Sequence, residues 1–175
     1  MEFNEKTAIS TGAASGMGLL FSQNWAALGG NVVMCDVNEK VLNEKVEESN
    51  SKHGGRASGV ICDGRDYAQV CNARDKAVEL FGSIDIMCNF AGGTARRMLN
   101  VGWEADFTDV PIDVFDWGID VNLKGPFYFA HAVLKQMRKQ KSGLIINIGS
   151  ITGAEGSAGG MDYPTAKAGL MYGLT

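Results

Sequence analysis

Eight residues near the N-terminus, Thr11-Gly12-Ala13-Ala14-Ser15-Gly16-Met17-Gly18, restrict the fold of this chain more than any other stretch. They follow a short apolar run, Lys6–Ser10. They precede Met17, Leu20, Phe21, Trp25 and Leu28 at helical spacing, so the segment reads strand, turn, helix. Small residues at such a turn let backbone N–H groups approach a pyrophosphate at the positive end of the helix. Asp36, 18 residues after Gly18, closes the following strand, where a carboxylate can accept hydrogen bonds from a ribose diol. No Gly-Lys-Ser/Thr follows the glycines, so the turn suits a dinucleotide rather than a nucleoside triphosphate.

The same alternation continues along the chain. Gly29-Gly30 ends the first helix, Asn31–Cys35 reads as a second strand, and Asn38 caps a polar helix to about Lys52. Arg56–Cys62 is a third strand ending at Asp63, Asp66 caps a helix to Phe81, and Ile84–Asn89 is a fourth strand. Gly92–Pro111 reads as a long loop. A helix from Asp113 to about Lys139 is interrupted near Asn122–Pro126. A fifth strand, Gly143–Ile148, leads into the Gly/Ser-rich loop Gly149–Gly160, and a last helix begins near Tyr163. Five strands alternating with helices predict an α/β, doubly wound parallel sheet in a single domain over residues 1–175.

Composition narrows the partners. Sixteen basic against 20 acidic residues give a net charge of −4, and no Lys/Arg stripe could track a phosphate backbone, so nucleic acid is not expected. Neither a leader segment nor an apolar run approaching the roughly 20 residues of a membrane span is visible, which predicts a cytoplasmic protein with no membrane partner. Cys35, Cys62, Cys71 and Cys88 lack C-x-x-C spacing and His53 and His131 stand apart, so the cysteines read as small hydrophobes and no metal is expected.

Tyr163 and Lys167 lie four apart at a helix start, hence on one face about a turn apart, with Pro164 in the first turn. An ammonium beside a phenol favours the phenolate and equips the tyrosine for proton transfer. With Thr11-Gly12-x-x-x-Gly16-x-Gly18, Asp63, Asn89-Phe90-Ala91-Gly92, Asn122 and Ser150, this pair resembles the short-chain dehydrogenase/reductase family in order and approximate spacing. Two departures stand out. Phe90 replaces a family asparagine that helps tie the sheet together, and the family normally continues through two more strands and a substrate-covering segment. The resemblance therefore implies a Rossmann fold truncated after the fifth strand and the start of the following helix.

The resemblance further implies a catalytic set of Asn122, Ser150, Tyr163 and Lys167. Tyr163 would exchange the proton of a secondary alcohol or ketone, Lys167 would assist it and hold the nicotinamide ribose, Ser150 would hold the reacting oxygen, and Asn122 would support a proton-relay water. Cofactor contacts are implied for Gly12, Ser15, Gly16, Met17, Gly18, Asp36, Asp63, Asn89, Ala91 and Gly92, with Tyr163 and Lys167. Asp36 favours NAD over NADP, since a 2′-phosphate would meet its charge while Ser15 and Val37 offer no cation. Asp63 reads equally as an adenine acceptor or a turn-former before Gly64. Arg96 and Arg97, with Met98, Trp103 and Phe107, fit either an anionic or polyhydroxylated small-molecule substrate or a solvated loop. The family association implies a homodimer or homotetramer when complete. Two function classes stay open: an active oxidoreductase, or a truncated dinucleotide-binding module without turnover.

Overall fold

A computed structural model describes residues 3–98, 100–102, 105–157 and 160–175. The chain divides into two compact units, Met1–Ala91 with Tyr128–Ile146, and Gly92–Phe127 with Asn147–Thr175.

The first unit is built on β1 (Thr7–Thr11), β2 (Asn31–Asp36), β3 (Ala57–Ile61), β4 (Ile86–Asn89) and β5, which starts at Leu144 and runs to Asn147. The sheet order is β3-β2-β1-β4-β5, and β1 pairs in parallel with β2 and β4, as β2 does with β3. This is the doubly wound α/β sheet that the strand–helix alternation predicts, and β5 forms its edge among the described residues.

Alternation along the strands sends side chains to opposite faces. Ile9, Val33, Cys35 and Val60 share one cluster with Val70, Ala73 and Ala77 of α3 (Tyr67–Phe81) and Phe129, Val133 and Met137 of α6 (Gly125–Gln140). Ala8, Val32, Met34 and Ala57 join Trp25 and Ala26 of α1 (Gly16–Ala27) and Leu42 of α2 (Glu39–His53) on the other. The local signals hold: Asn38 Oδ1 accepts from Val41 N–H at 3.2 Å, and the Asp66 carboxylate accepts from the N–H groups of Ala68 and Gln69. On α1, however, Met17, Leu20 and Leu28 are exposed, while Gly18, Ser22, Trp25 and Ala26 are buried. Beside Trp25, which joins the core, the buried face of α1 consists of the small residues Gly18, Ser22 and Ala26, which let the helix lie close to the sheet.

The second unit is helical: α4 (Ala95–Met98), a 3₁₀ turn (Phe107–Asp109), α5 (Ile112–Ile119), a π turn (Asp120–Lys124), α7 (Ile151–Glu155), α8 (Asp162–Gly169) and a closing π turn (Leu170–Leu174). The expected loops Gly92–Pro111 and Gly149–Gly160 thus contain short helices, and the expected helix interruption is a π turn joining α5 to α6 rather than a break. Within this unit α8 packs on α5 and α7. Glycine permits the closeness: a Cβ on Gly118 would stand 2.5 Å from Asp162 Cβ, and one on Gly153 3.0 Å from Lys167 Cβ.

Candidate active site

In the first unit the glycine-rich turn joins β1 to α1. Gly12 has φ +63°, and a Cβ there would lie 3.1 Å from Ala91 Cα; a Cβ on Gly18 would lie 2.5 Å from the Gly12 carbonyl oxygen. Only glycine closes the turn this tightly. Ser15 is extended at the N-cap of α1 and makes no side-chain capping bond, so it leaves the first-turn N–H groups of the helix uncapped. That cradle fits a pyrophosphate.

Asp36 binds the same turn. Its carboxylate accepts from Ala14 N–H at 3.0 Å and from Asn38 N–H at 2.9 Å, one bond on each oxygen. Each oxygen keeps a lone pair for a hydroxyl donor. Asp63 makes the bonds of a turn: it accepts from Arg65 N–H at 3.0 Å and pairs with the Arg65 guanidinium at 2.6 Å, which holds its carboxyl below the ordinary range. Asn89 is buried at the end of β4. Thr11 is a positioning residue that the sequence reading left in the motif without a role. Its Oγ1 accepts from the N–H groups of Phe90 at 3.0 Å and Ala91 at 2.9 Å. The Phe90 ring, standing where an amide was expected, packs on Phe21 with centroids 5.3 Å apart.

The remaining candidates lie in the second unit. Asn122, fully buried in the π turn, accepts from Gly93 N–H at 2.9 Å and donates to the carbonyls of Gly93 at 2.8 Å and Gly118 at 2.9 Å. Gly118 is four residues back, and its carbonyl is the kind a π turn withdraws from the helical ladder; the amide takes its place as donor. A Cβ on Gly92 would lie 2.6 Å from Asn122 Oδ1 and 3.8 Å from Lys167 Nζ, which puts those three residues at one locus. Lys167 is only 5% exposed; it donates to the Ile148 carbonyl at 2.7 Å, and its Nζ stands 5.5 Å from the centroid of the half-buried Tyr163 ring. Burial lowers its pKa. Ser150 caps α7, accepting from Thr152 N–H at 3.3 Å, and its hydroxyl pairs with Thr152 Oγ1 at 2.9 Å.

Gly93, Thr152 and the Ile148 carbonyl are bonded to these candidates and were not singled out from the sequence; two of them bond through backbone atoms, which leave no trace in residue type. Arg96 is buried and donates to the Gly102 carbonyl at 2.6 Å, so it is not the solvated arginine of the alternative. Trp103 and the side chains of Arg97 and Met98 lie outside the described residues. Cys35, Cys62 and Cys88 are buried, as their apolar strands predict, and burial pushes the Cys88 thiol up to about 12. Among the described residues no helix is long and apolar enough to cross a membrane.

The family model described as short chain dehydrogenase matches residues 6–175. The chain belongs to this family. It is 32% identical over 175 residues to the 3-oxoacyl-[acyl-carrier-protein] reductase FabG of Thermotoga maritima, covering 100% of this chain and 67% of that protein. It is 35% identical over 171 residues to the oxidoreductase UcpA of Salmonella typhimurium, covering 97% of this chain and 61% of the relative. The solved structure of NAD+-bound xylitol dehydrogenase superposes with a TM-score of 0.86 at 30% identity, over 97% of this chain and 62% of that one. The chain therefore spans about three fifths to two thirds of the length of these short-chain dehydrogenase relatives.

Proposed function

We propose that this chain carries the cofactor-binding and proton-transfer residues of an NAD(H)-dependent oxidoreductase that interconverts a secondary alcohol and a ketone. The observation that carries the reading is the pair on α8: a buried ammonium held one turn from a tyrosine ring, with Asn122 and Gly92 at the same locus. The uncapped glycine turn of the first unit supports dinucleotide binding independently.

When bound, NAD supplies hydride acceptance, and NADH hydride donation, at the nicotinamide. Gly12, Ser15, Gly16, Met17 and Gly18 hold the pyrophosphate through backbone N–H groups, and Asp36 accepts from the ribose hydroxyls. Asp63, Asn89, Ala91 and Gly92 complete the cofactor contacts; the Arg65 ion pair leaves Asp63 the weakest of them. In oxidation Tyr163 takes the substrate hydroxyl proton, and in reduction it returns one. Lys167 presents its positive charge while the phenolic oxygen exchanges that proton, and it also binds the nicotinamide ribose. Ser150, oriented by Thr152, donates to the reacting oxygen. Asn122 has both amide hydrogens engaged, so it acts by fixing Gly93 and the π turn, and its side chain is not itself a proton carrier.

The test is NADH formation with a panel of secondary alcohols, paired with a cofactor titration. Tyr163→Phe keeps the ring and removes the proton carrier, so turnover is lost while NAD binding persists. A variant retaining more than a small fraction of the rate would assign the base elsewhere. Cofactor binding without turnover in the unmodified chain would favour the binding-module reading.

A further inference from the structure

The second unit contains a cavity of about 230 Å³ whose walls include Phe107, Ile112, Phe115 and Met161, together with Arg96 and Asp162. The four apolar residues are all exposed, whereas Asp162 is 2% exposed and Arg96 5%. A carboxylate in the first turn of α8 is favoured by the helix dipole at any exposure, so the dipole does not explain why this one is buried beside apolar walls. Nor do its bonds: among the described residues, the hydrogen bond it accepts is a long one, 3.4 Å from Ala95 N–H to Oδ2. The carboxylate lines the cavity and keeps acceptor capacity that this one long bond does not use, so it is open to a donor from the cavity side.

The nature of that donor follows from the other charged group. Arg96, whose Nη1 donates to the Gly102 carbonyl, lines the same space, so Asp162 already has a compensating charge nearby. An ammonium would lose its hydration for a site of no net charge, and a carboxylate would meet Asp162. A neutral hydroxyl satisfies the acceptor at the least desolvation cost. The volume lies below the roughly 300–1,000 Å³ of drug-sized pockets, which limits the ligand to about one ring or a short branched chain.

We propose that this cavity binds a small neutral alcohol, its hydroxyl donating to the Asp162 carboxylate and its hydrocarbon body lying against Phe107, Ile112, Phe115 and Met161. Tyr163 is not among the residues that line the cavity, and the proposal does not depend on the oxidoreductase reading.

Ligand-observed NMR titration of the 175-residue chain without cofactor tests it, with benzyl alcohol, toluene and benzylammonium as probes. Benzyl alcohol should bind saturably and at least about tenfold more tightly than toluene, the value of one good hydrogen bond. Asp162→Ala should reduce it to the toluene level. Ile112→Trp, at an exposed position, should block both probes and decides the matter if Asp162→Ala does not fold. Affinity should be the same in Tyr163→Phe. The proposal is overturned by absence of saturable benzyl alcohol binding, by affinity unchanged in Ile112→Trp or in folded Asp162→Ala, by tighter binding of benzylammonium, or by loss of binding in Tyr163→Phe.

Discussion

The Lys167 ammonium donates to the main-chain carbonyl of Ile148 at 2.7 Å, which ties α8 to the residue just after β5 inside the second unit. One carbonyl replaces only part of the hydration that burial removes, so the charged form is disfavoured and the pKa falls below its ordinary value. The same side chain is thus a structural tie whose proton is held less firmly than that of a solvated lysine.

The first prediction concerns stability against pH. Between the lowered folded pKa of Lys167 and the unfolded value of about 10.4, the unfolded chain holds a proton that the folded chain has released. Stability attributable to this residue therefore rises with pH in that window, by at most about 1.4 kcal/mol per unit. Urea unfolding of the parent and Lys167→Met at a series of pH values rising toward about 10.4 should show the parent gaining on the variant. Parallel curves would mean that Lys167 keeps its proton throughout.

Asn122 gives the second. Removing its amide strands the Gly93 N–H and the carbonyls of Gly93 and Gly118, in a residue with no exposure. Asn122→Ala should cost about 2–4 kcal/mol in denaturant unfolding. Asn122→Asp should cost more, because a carboxylate would face two carbonyl oxygens with no donor between them. A milder loss for Asp than for Ala would refute the bonding pattern.

The third contrasts two glycines of one turn. At Gly16, φ is +54° with nothing within 4 Å, so Gly16→Ala pays only the left-handed backbone penalty of about 1–2 kcal/mol. Gly18→Ala drives a methyl into the Gly12 and Thr11 carbonyls, at 2.5 and 2.6 Å, and the turn must open. Gly18→Ala should be the more destabilising and should lose dinucleotide binding, whereas Gly16→Ala retains it. Thermal unfolding with and without NAD separates the two, and equal effects would show that the turn yields without cost.

What was legible in the sequence was the chemistry with a local rule. Asn38 and Asp66 cap helices as their positions require, and the strand-to-helix turn at Gly12–Gly18 forms where the glycines place it. The helix of four residues at Ala95 and the one of five at Ile151 were read as loops, because neither is long enough to show a period. Asn122 was visible as an irregularity but not as a π turn, since its role is to bond backbone groups of Gly93 and Gly118. The buried face of α1 was only partly legible: Trp25 carries the hydrophobic signal, but Gly18 and Ser22 beside it are buried and carry none.

The last prediction turns on the two bonds of Asp36. The Asp36 carboxylate, proposed above to accept from the ribose, also accepts from Ala14 N–H and Asn38 N–H. A 2′-phosphate about 4 Å away would be repelled by about 4 kcal/mol at an effective dielectric near 20, so NAD should bind in strong preference to NADP. Asp36→Asn removes the charge but keeps one acceptor, so it can hold Ala14 or Asn38 but not both. Two changes should follow together: NADP affinity rises relative to NAD, and the cofactor-free chain loses about 1–2 kcal/mol of stability from the lost charge-assisted bond. Asp36→Ala loses both bonds and should be less stable still, with no further gain for NADP. Fluorescence titration with each dinucleotide and urea unfolding of the free chain read the two effects separately. Equal NAD and NADP affinities in the parent would remove Asp36 from the ribose site, whereas unchanged stability in Asp36→Ala would show that the turn stands without it.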